Sequence, residues 1–185
     1  MTEDALIQNP TIENLTRFAE MNAVAKFAKF RKIPTTLWCV GDRCLKAVGA
    51  MNLPDDRERT AFYNLAGQLC IAESARATIY MAEIWSSPPD SAIIVRASQH
   101  PDRREFVLIS IEVPGQCVTS LYSILRDHAG KPRLGKCEQP PHVEKTNRFL
   151  PGESPSLSER SQAVSKLERL TQDFTHFDTA PVPIA

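Results

Sequence analysis

Between Thr11 and Lys32 the apolar residues Ile12, Leu15, Phe18, Ala19, Ala23, Phe27 and Phe30 recur at the spacing of a helix with one buried stripe. Thr11 suits its N-cap, and Pro34 ends it because a proline disfavours helical geometry in the residue before it. A second helix opens at Pro54-Asp55-Asp56 and runs from about Asp55 to Ser74, burying Phe62, Leu65, Ala66, Leu69 and Ala72. Between the helices, Thr35–Val40 and Arg43–Val48 read as two short strands around a two-residue Gly41-Asp42 turn. That register sets Cys39 against Cys44.

From Ala77 the pattern changes to strands. Ala77–Trp85 is largely apolar, and Phe106–Val113 alternates, with Val107, Ile109, Ile111 and Val113 on one face. Pro114-Gly115 turns the chain into Cys117–Arg126, whose Val118, Tyr122 and Ile124 join that face if the loop has two residues. An edge strand follows near Arg133–Cys137, and Ile93–Ala97 is a candidate for one more. Consecutive strands tend to be neighbours. The expected fold is therefore α+β: an antiparallel meander with amphipathic helices packed on one face. Val107, Ile109 and Ile111 should meet the two N-terminal helices.

After Cys137 the texture shifts. Residues 139–185 hold six of the fourteen prolines, which argues against sheet. Ser156-Leu157-Ser158-Glu159 matches a capping box, and Ala163, Leu167, Leu170, Phe174 and Phe177 follow at heptad-like spacing. The division expected is a domain at 1–138 and, at 139–185, a proline-rich linker with a C-terminal helix. That helix should dock, either on its own domain or on a second copy, with a homodimer as the preferred outcome.

Composition limits function more than it reveals it. Twenty-two basic and 22 acidic residues cancel, so no whole-molecule attraction to nucleic acid or anionic membrane is expected. No apolar run approaches the ~20 residues of a membrane span, and the acidic start Met1-Thr2-Glu3-Asp4-Ala5 does not resemble a secretory signal. A cytoplasmic setting is the default. Cys39, Cys44, Cys70, Cys117 and Cys137 form no C-x-x-C pair and read as reduced thiols. No phosphate loop, dinucleotide fingerprint, H-E-x-x-H or G-x-S-x-G motif occurs.

Among the expected loops, ionisable residues concentrate most at Glu83-Ile84-Trp85 followed by His100-Pro101-Asp102-Arg103-Arg104-Glu105 at the start of a strand. This arrangement resembles a pattern in small bacterial and phage proteins without an established activity. The resemblance covers about a quarter of the chain and carries over no catalytic residue. Read chemically, Glu83 lies on the apolar parity of Ile79 and Met81. There it needs either a raised pKa or a cationic partner, for which Arg103 or Arg104 is the candidate. Glu83, His100, Asp102 and Glu105 together have the donor types of a hydrolytic metal site. The plainer reading is a turn with surface ion pairs, and no metal or other cofactor is favoured.

Lys26, Lys29, Arg31 and Lys32 interleave with Phe27 and Phe30, a composition that suits phosphate contact and base stacking. It equally suits a helix C-terminus beside a core. The reading preferred from sequence is a non-enzymatic interaction or accessory protein. Its partner, a protein or a second copy, would meet Ala163, Leu167, Leu170, Phe174 and Phe177. A metal-dependent hydrolase or nuclease and a nucleic-acid-binding module are the alternatives.

Overall fold

A computed structural model describes residues 3–87, 99–138, 142–145 and 147–173. In chain order the elements are α1 (Glu3–Gln8), α2 (Ile12–Phe30), β1 (Thr35–Val40), β2 (Leu45–Ala50), α3 (Asp56–Ala72), β3 (Ala77–Ser86), β4 (Arg104–Val113), β5 (Gln116–Arg126), β6 (Pro132–Cys137), β7 (His142–Glu144) and α4 (Leu157–Asp173). The class is α+β, with an antiparallel sheet in the order β2-β1-β3-β4-β5-β6. The expected strand at Ile93–Ala97 and the tail residues Phe174 and Phe177 lie outside the described residues.

The helix boundaries follow local chemistry. Thr11 caps α2, its hydroxyl accepting the Asn14 N–H at 3.3 Å, and Asp55 caps α3 by accepting the Glu58 N–H at 2.8 Å. Arg31 takes a left-handed φ of 58° at the end of α2 and closes it with an N–H donated to Phe27 O.

The β4–β5 hairpin has the expected two-residue loop, with Val113 opposite Gln116. Pro114 holds its own φ negative, which excludes the primed turn types. Gly115 supplies the positive φ of 75° that a type II turn needs at its second position. Val107, Ile109 and Ile111 consequently share a buried face with Val118 and Tyr122.

The β1–β2 hairpin corrects the expected register. Val40 faces Leu45, so the connection is four residues long, Gly41 to Cys44, and Cys39 lies opposite Lys46 rather than Cys44. Gly41 N–H donates to Cys44 O at 2.9 Å, closing a wider turn than a Gly-Asp pair suggests. All five cysteines are free thiols.

The helices divide between the two faces of the sheet, a second correction. β2 and β3 are both antiparallel to β1 and therefore run in the same direction. Joining them needs a crossover, and α3 makes it over the face opposite α2. One core holds Leu15, Phe18, Ala23 and Phe27 against Trp38, Ile79, Met81, Val107, Ile109 and Ile111. The other holds Phe62, Leu65, Ala66 and Leu69 against Leu37, Cys39, Val48 and Ala50. The run Leu37-Trp38-Cys39-Val40 is buried on both parities, as a doubly covered strand must be. Each large side chain fully buried in these cores contributes ~1.5–3 kcal/mol.

The tail docks on its own domain. Ser156 and Glu159 form the expected reciprocal capping box: Ser156 N–H donates to Glu159 Oε2 at 2.7 Å, and Glu159 N–H to Ser156 Oγ at 3.3 Å. Ala163 is buried, and Leu167 and Leu170 pack against the α3 core. Arg160 Nε donates to the Ala72 carbonyl at the end of α3. The stripe expected to seek a partner is thus occupied within the chain as far as it is described. The linker also carries a strand that its prolines argued against: β7 pairs Cys117–Thr119 of β5 beyond the reach of β6.

Candidate functional site

Two residues of the charged loop that stands out in the sequence, Arg104 and Glu105, are held in ion pairs. Arg104 bonds Glu138 at 2.6 Å and stacks on the Phe106 ring, while Arg126 bonds Glu105 at 2.6 Å. Exposed pairs of this kind contribute little individually. His100 is buried, and its Nδ1 accepts the Asp102 N–H at 3.0 Å, which fixes the turn into β4.

Glu83 meets neither Arg103 nor Arg104. Its Oε1 accepts the Ile33 N–H at 2.7 Å. For Arg104 the reason is parity: Glu83 pairs across the ladder with Val107, so it shares a face with Glu105, whereas Arg104 lies on the opposite face; Arg103 precedes the strand. Burial holds the Glu83 pKa above the usual carboxylate range, against the Ile33 hydrogen bond, which lowers it. Among the described residues, no group of three or more His, Cys, Asp or Glu side chains could hold a metal ion. Glu83, His100, Asp102 and Glu105 are thus not brought together as a ligand set.

The basic stretch at the end of α2 is largely engaged. Lys26 lies over the Trp38 ring at 5.3 Å, Lys29 over Phe30 at 5.0 Å, and Lys32 Nζ bonds Met51 O and Asn52 Oδ1. Phe27 is core, leaving Phe30 the more exposed aromatic of this segment. Arg31 is exposed at the helix cap.

A different site lies on the α3 face of the sheet, and it begins with Glu112. This buried carboxylate on β4 accepts three backbone N–H groups: Arg148 at 2.8 Å, Phe149 at 2.9 Å and Leu150 at 3.0 Å. Asn147 Nδ2 adds a bond to Val113 O at 3.2 Å. A buried charge is tolerable when its lone pairs are filled in this way. The segment after β7 is thereby tied onto the sheet, and Phe149 is delivered against Tyr80, stacked at 5.8 Å between ring centroids.

Tyr63 completes the group from α3, 6.0 Å from Phe149 and 6.1 Å from Tyr80, and the two tyrosine hydroxyls lie 3.3 Å apart. Burial, then the Tyr63 hydroxyl, pushes the Tyr80 phenol well above its ordinary pKa. Ser110 is the cross-strand neighbour of Tyr80 and lies on the same face.

These residues line a cleft of about 410 Å³ with Gly67 and Arg148. That volume falls within the ~300–1,000 Å³ range of small-ligand sites. Gly67 is one turn after Tyr63, inside α3, where glycine costs ~1 kcal/mol relative to alanine. Among the described residues, a Cβ added there would have no neighbour within 4 Å. Arg148 is the single charged side chain in the lining, and its one ion pair among the described residues, to Glu144, is long at 3.8 Å.

Sequence reasoning missed this site because its parts lie 86 positions apart, from Tyr63 to Phe149. One signal was legible: Glu112 is the one charged residue within Phe106–Val113. Comparison with protein-family models, with curated proteins and with solved structures finds no match to this chain.

Proposed function

We propose that this chain is a non-enzymatic binding protein, an interaction or accessory factor that holds part of a partner in the Tyr63–Tyr80–Phe149 cleft. The observation that carries the reading is Gly67. A glycine inside an amphipathic helix weakens that helix, and packing does not require it, since the space over it is open. What its missing side chain leaves is room beside two tyrosines, a phenylalanine and an arginine. Aromatic walls with a few polar groups at the rim are the usual composition of a recognition site. With Leu167 and Leu170 packed against the α3 core, the tail stripe is covered as far as it is described, which supports this cleft over the stripe as the contact surface.

The test is an NMR titration of the protein with a panel of small neutral aromatic fragments. Amide shifts should concentrate at Tyr63, Gly67, Tyr80 and Phe149. Gly67→Leu should abolish them, because a helical side chain leans back over the preceding turn and would lie beside Tyr63. Gly67→Leu should also raise thermal stability, which separates a filled cleft from a misfolded protein. Shifts that fall elsewhere, or that persist in Gly67→Leu, overturn the reading.

A further inference from the structure

We infer that the group the cleft recognises is an aromatic carboxylate, and that its source is a partner polypeptide ending in an aromatic residue. The inference rests on the binding reading above and deepens it. The ring preference follows from the walls. Tyr63, Tyr80 and Phe149 converge from α3, β3 and the Glu112-tethered segment, and aromatic pairs at ~4.5–7 Å centroid separation add attraction beyond burial.

The charge preference follows from the rim. Arg148 is the one charged lining residue, and its side chain is 58% exposed, with the long Glu144 contact as its one ion pair among the described residues. A guanidinium so placed can exchange that contact for a bidentate carboxylate. The Tyr63, Tyr80 and Ser110 hydroxyls supply further polar groups at the same cleft. One fixed positive charge matches a singly charged carboxylate better than a doubly charged phosphate.

The polypeptide source follows from the opening. Tyr63 is 43% exposed, so the cleft is open at the surface on the α3 side. A terminal residue can insert its ring while its chain leads outward past Tyr63. Arg148 is held in place by its own backbone N–H on Glu112, so the charge reader and the ring reader Phe149 are set by the same carboxylate.

The experiment is calorimetric titration of the full chain with four probes: acetyl-Ala-Ala-Phe as the free acid, the same peptide amidated, acetyl-Ala-Ala-Ala as the free acid, and N-acetylphenylalanine. The phenylalanine acid peptide should bind. Amidation, or Arg148→Gln in the protein, should each weaken it by about tenfold or more, as expected for a lost charge-assisted bond. The alanine peptide should not bind, and Gly67→Leu should remove binding altogether. Equal binding of acid and amide, or no effect of Arg148→Gln, overturns the carboxylate inference and leaves the cleft reading standing. N-acetylphenylalanine binding as tightly as the peptide overturns the polypeptide source. No binding by any probe, with the neutral fragments still shifting the cleft amides, overturns the inference alone. No binding by either set overturns both.

Discussion

Glu112 and Glu83 are carboxylates on neighbouring strands of one sheet, pointing to opposite faces, and they do different work. Glu112 is 1% exposed and accepts three backbone N–H groups. Glu83 is partly buried and accepts one, from Ile33. The first organises a chain segment and through it an aromatic cleft. The second ties the α2–β1 connection to β3 and has its ionisation opposed by burial. The contrast shows that burial alone does not set the role of an acidic side chain. What decides is how many donors converge on it, because each charge-assisted bond offsets part of the desolvation.

The strongest way to break this contrast is Glu112→Gln. An amide cannot accept all three N–H groups as the carboxylate does, and it brings an NH₂ donor into the same space. Urea unfolding should show a loss of about 3 kcal/mol, in the range for a broken buried charge network. A loss below ~1 kcal/mol would mean that the 148–150 segment does not depend on Glu112.

Phe149→Ala tests what the tether delivers. Removing a half-buried ring should cost about 2 kcal/mol, below the ~3–5 kcal/mol of a fully buried phenylalanine. Combined with Glu112→Gln, the two losses should add to clearly less than their sum, because releasing the segment already removes the ring from Tyr80. Additivity within ~0.5 kcal/mol would separate the two residues.

Glu83→Gln should act through pH. A carboxyl whose folded pKa lies above its unfolded value favours the fold while protonated. That contribution is complete below the unfolded pKa, near 4.5, and is lost as pH rises through the folded value. Stability measured upward from pH 4 should therefore carry a falling component in the native chain that Glu83→Gln removes. An unchanged slope in the variant would assign that component to other groups.

The smallest expected effect is on reactivity, not stability. Cys44 donates to Glu73 at 3.1 Å, and burial followed by that carboxylate pushes its pKa up to about 11. Exposed Cys137 should alkylate well before Cys44 at pH 8, because the rate follows the thiolate and Cys44 is held in its thiol form. Comparable rates would remove Glu73 as the controlling neighbour.

Most of the secondary structure was legible in the chain. Thr11, Asp55 and Ser156 announce three helix starts through side chains that bond within the next turn. Pro114-Gly115 announces its hairpin, and the alternation of Val107, Ile109 and Ile111 gives the β4 face. These are local signals, written within a few residues. The tail stripe was equally legible as a surface needing cover, but its period does not say what covers it.

The sequence by itself therefore determined most of the elements, the caps of α2, α3 and α4, and the apolar stripe that each of these helices must bury. Tertiary structure alone decided which sheet face each helix covers, that Cys39 meets Lys46, that Glu83 bonds Ile33, and that α4 closes on α3. It also decided that Glu112 reaches 36 to 38 positions along the chain to assemble Tyr63, Gly67, Tyr80, Arg148 and Phe149 into one cleft. The physical reason is range. Periodicity and capping report on bonds between near neighbours, whereas pairing across a sheet and the filling of a buried carboxylate's lone pairs are settled only when distant segments compete for the same space.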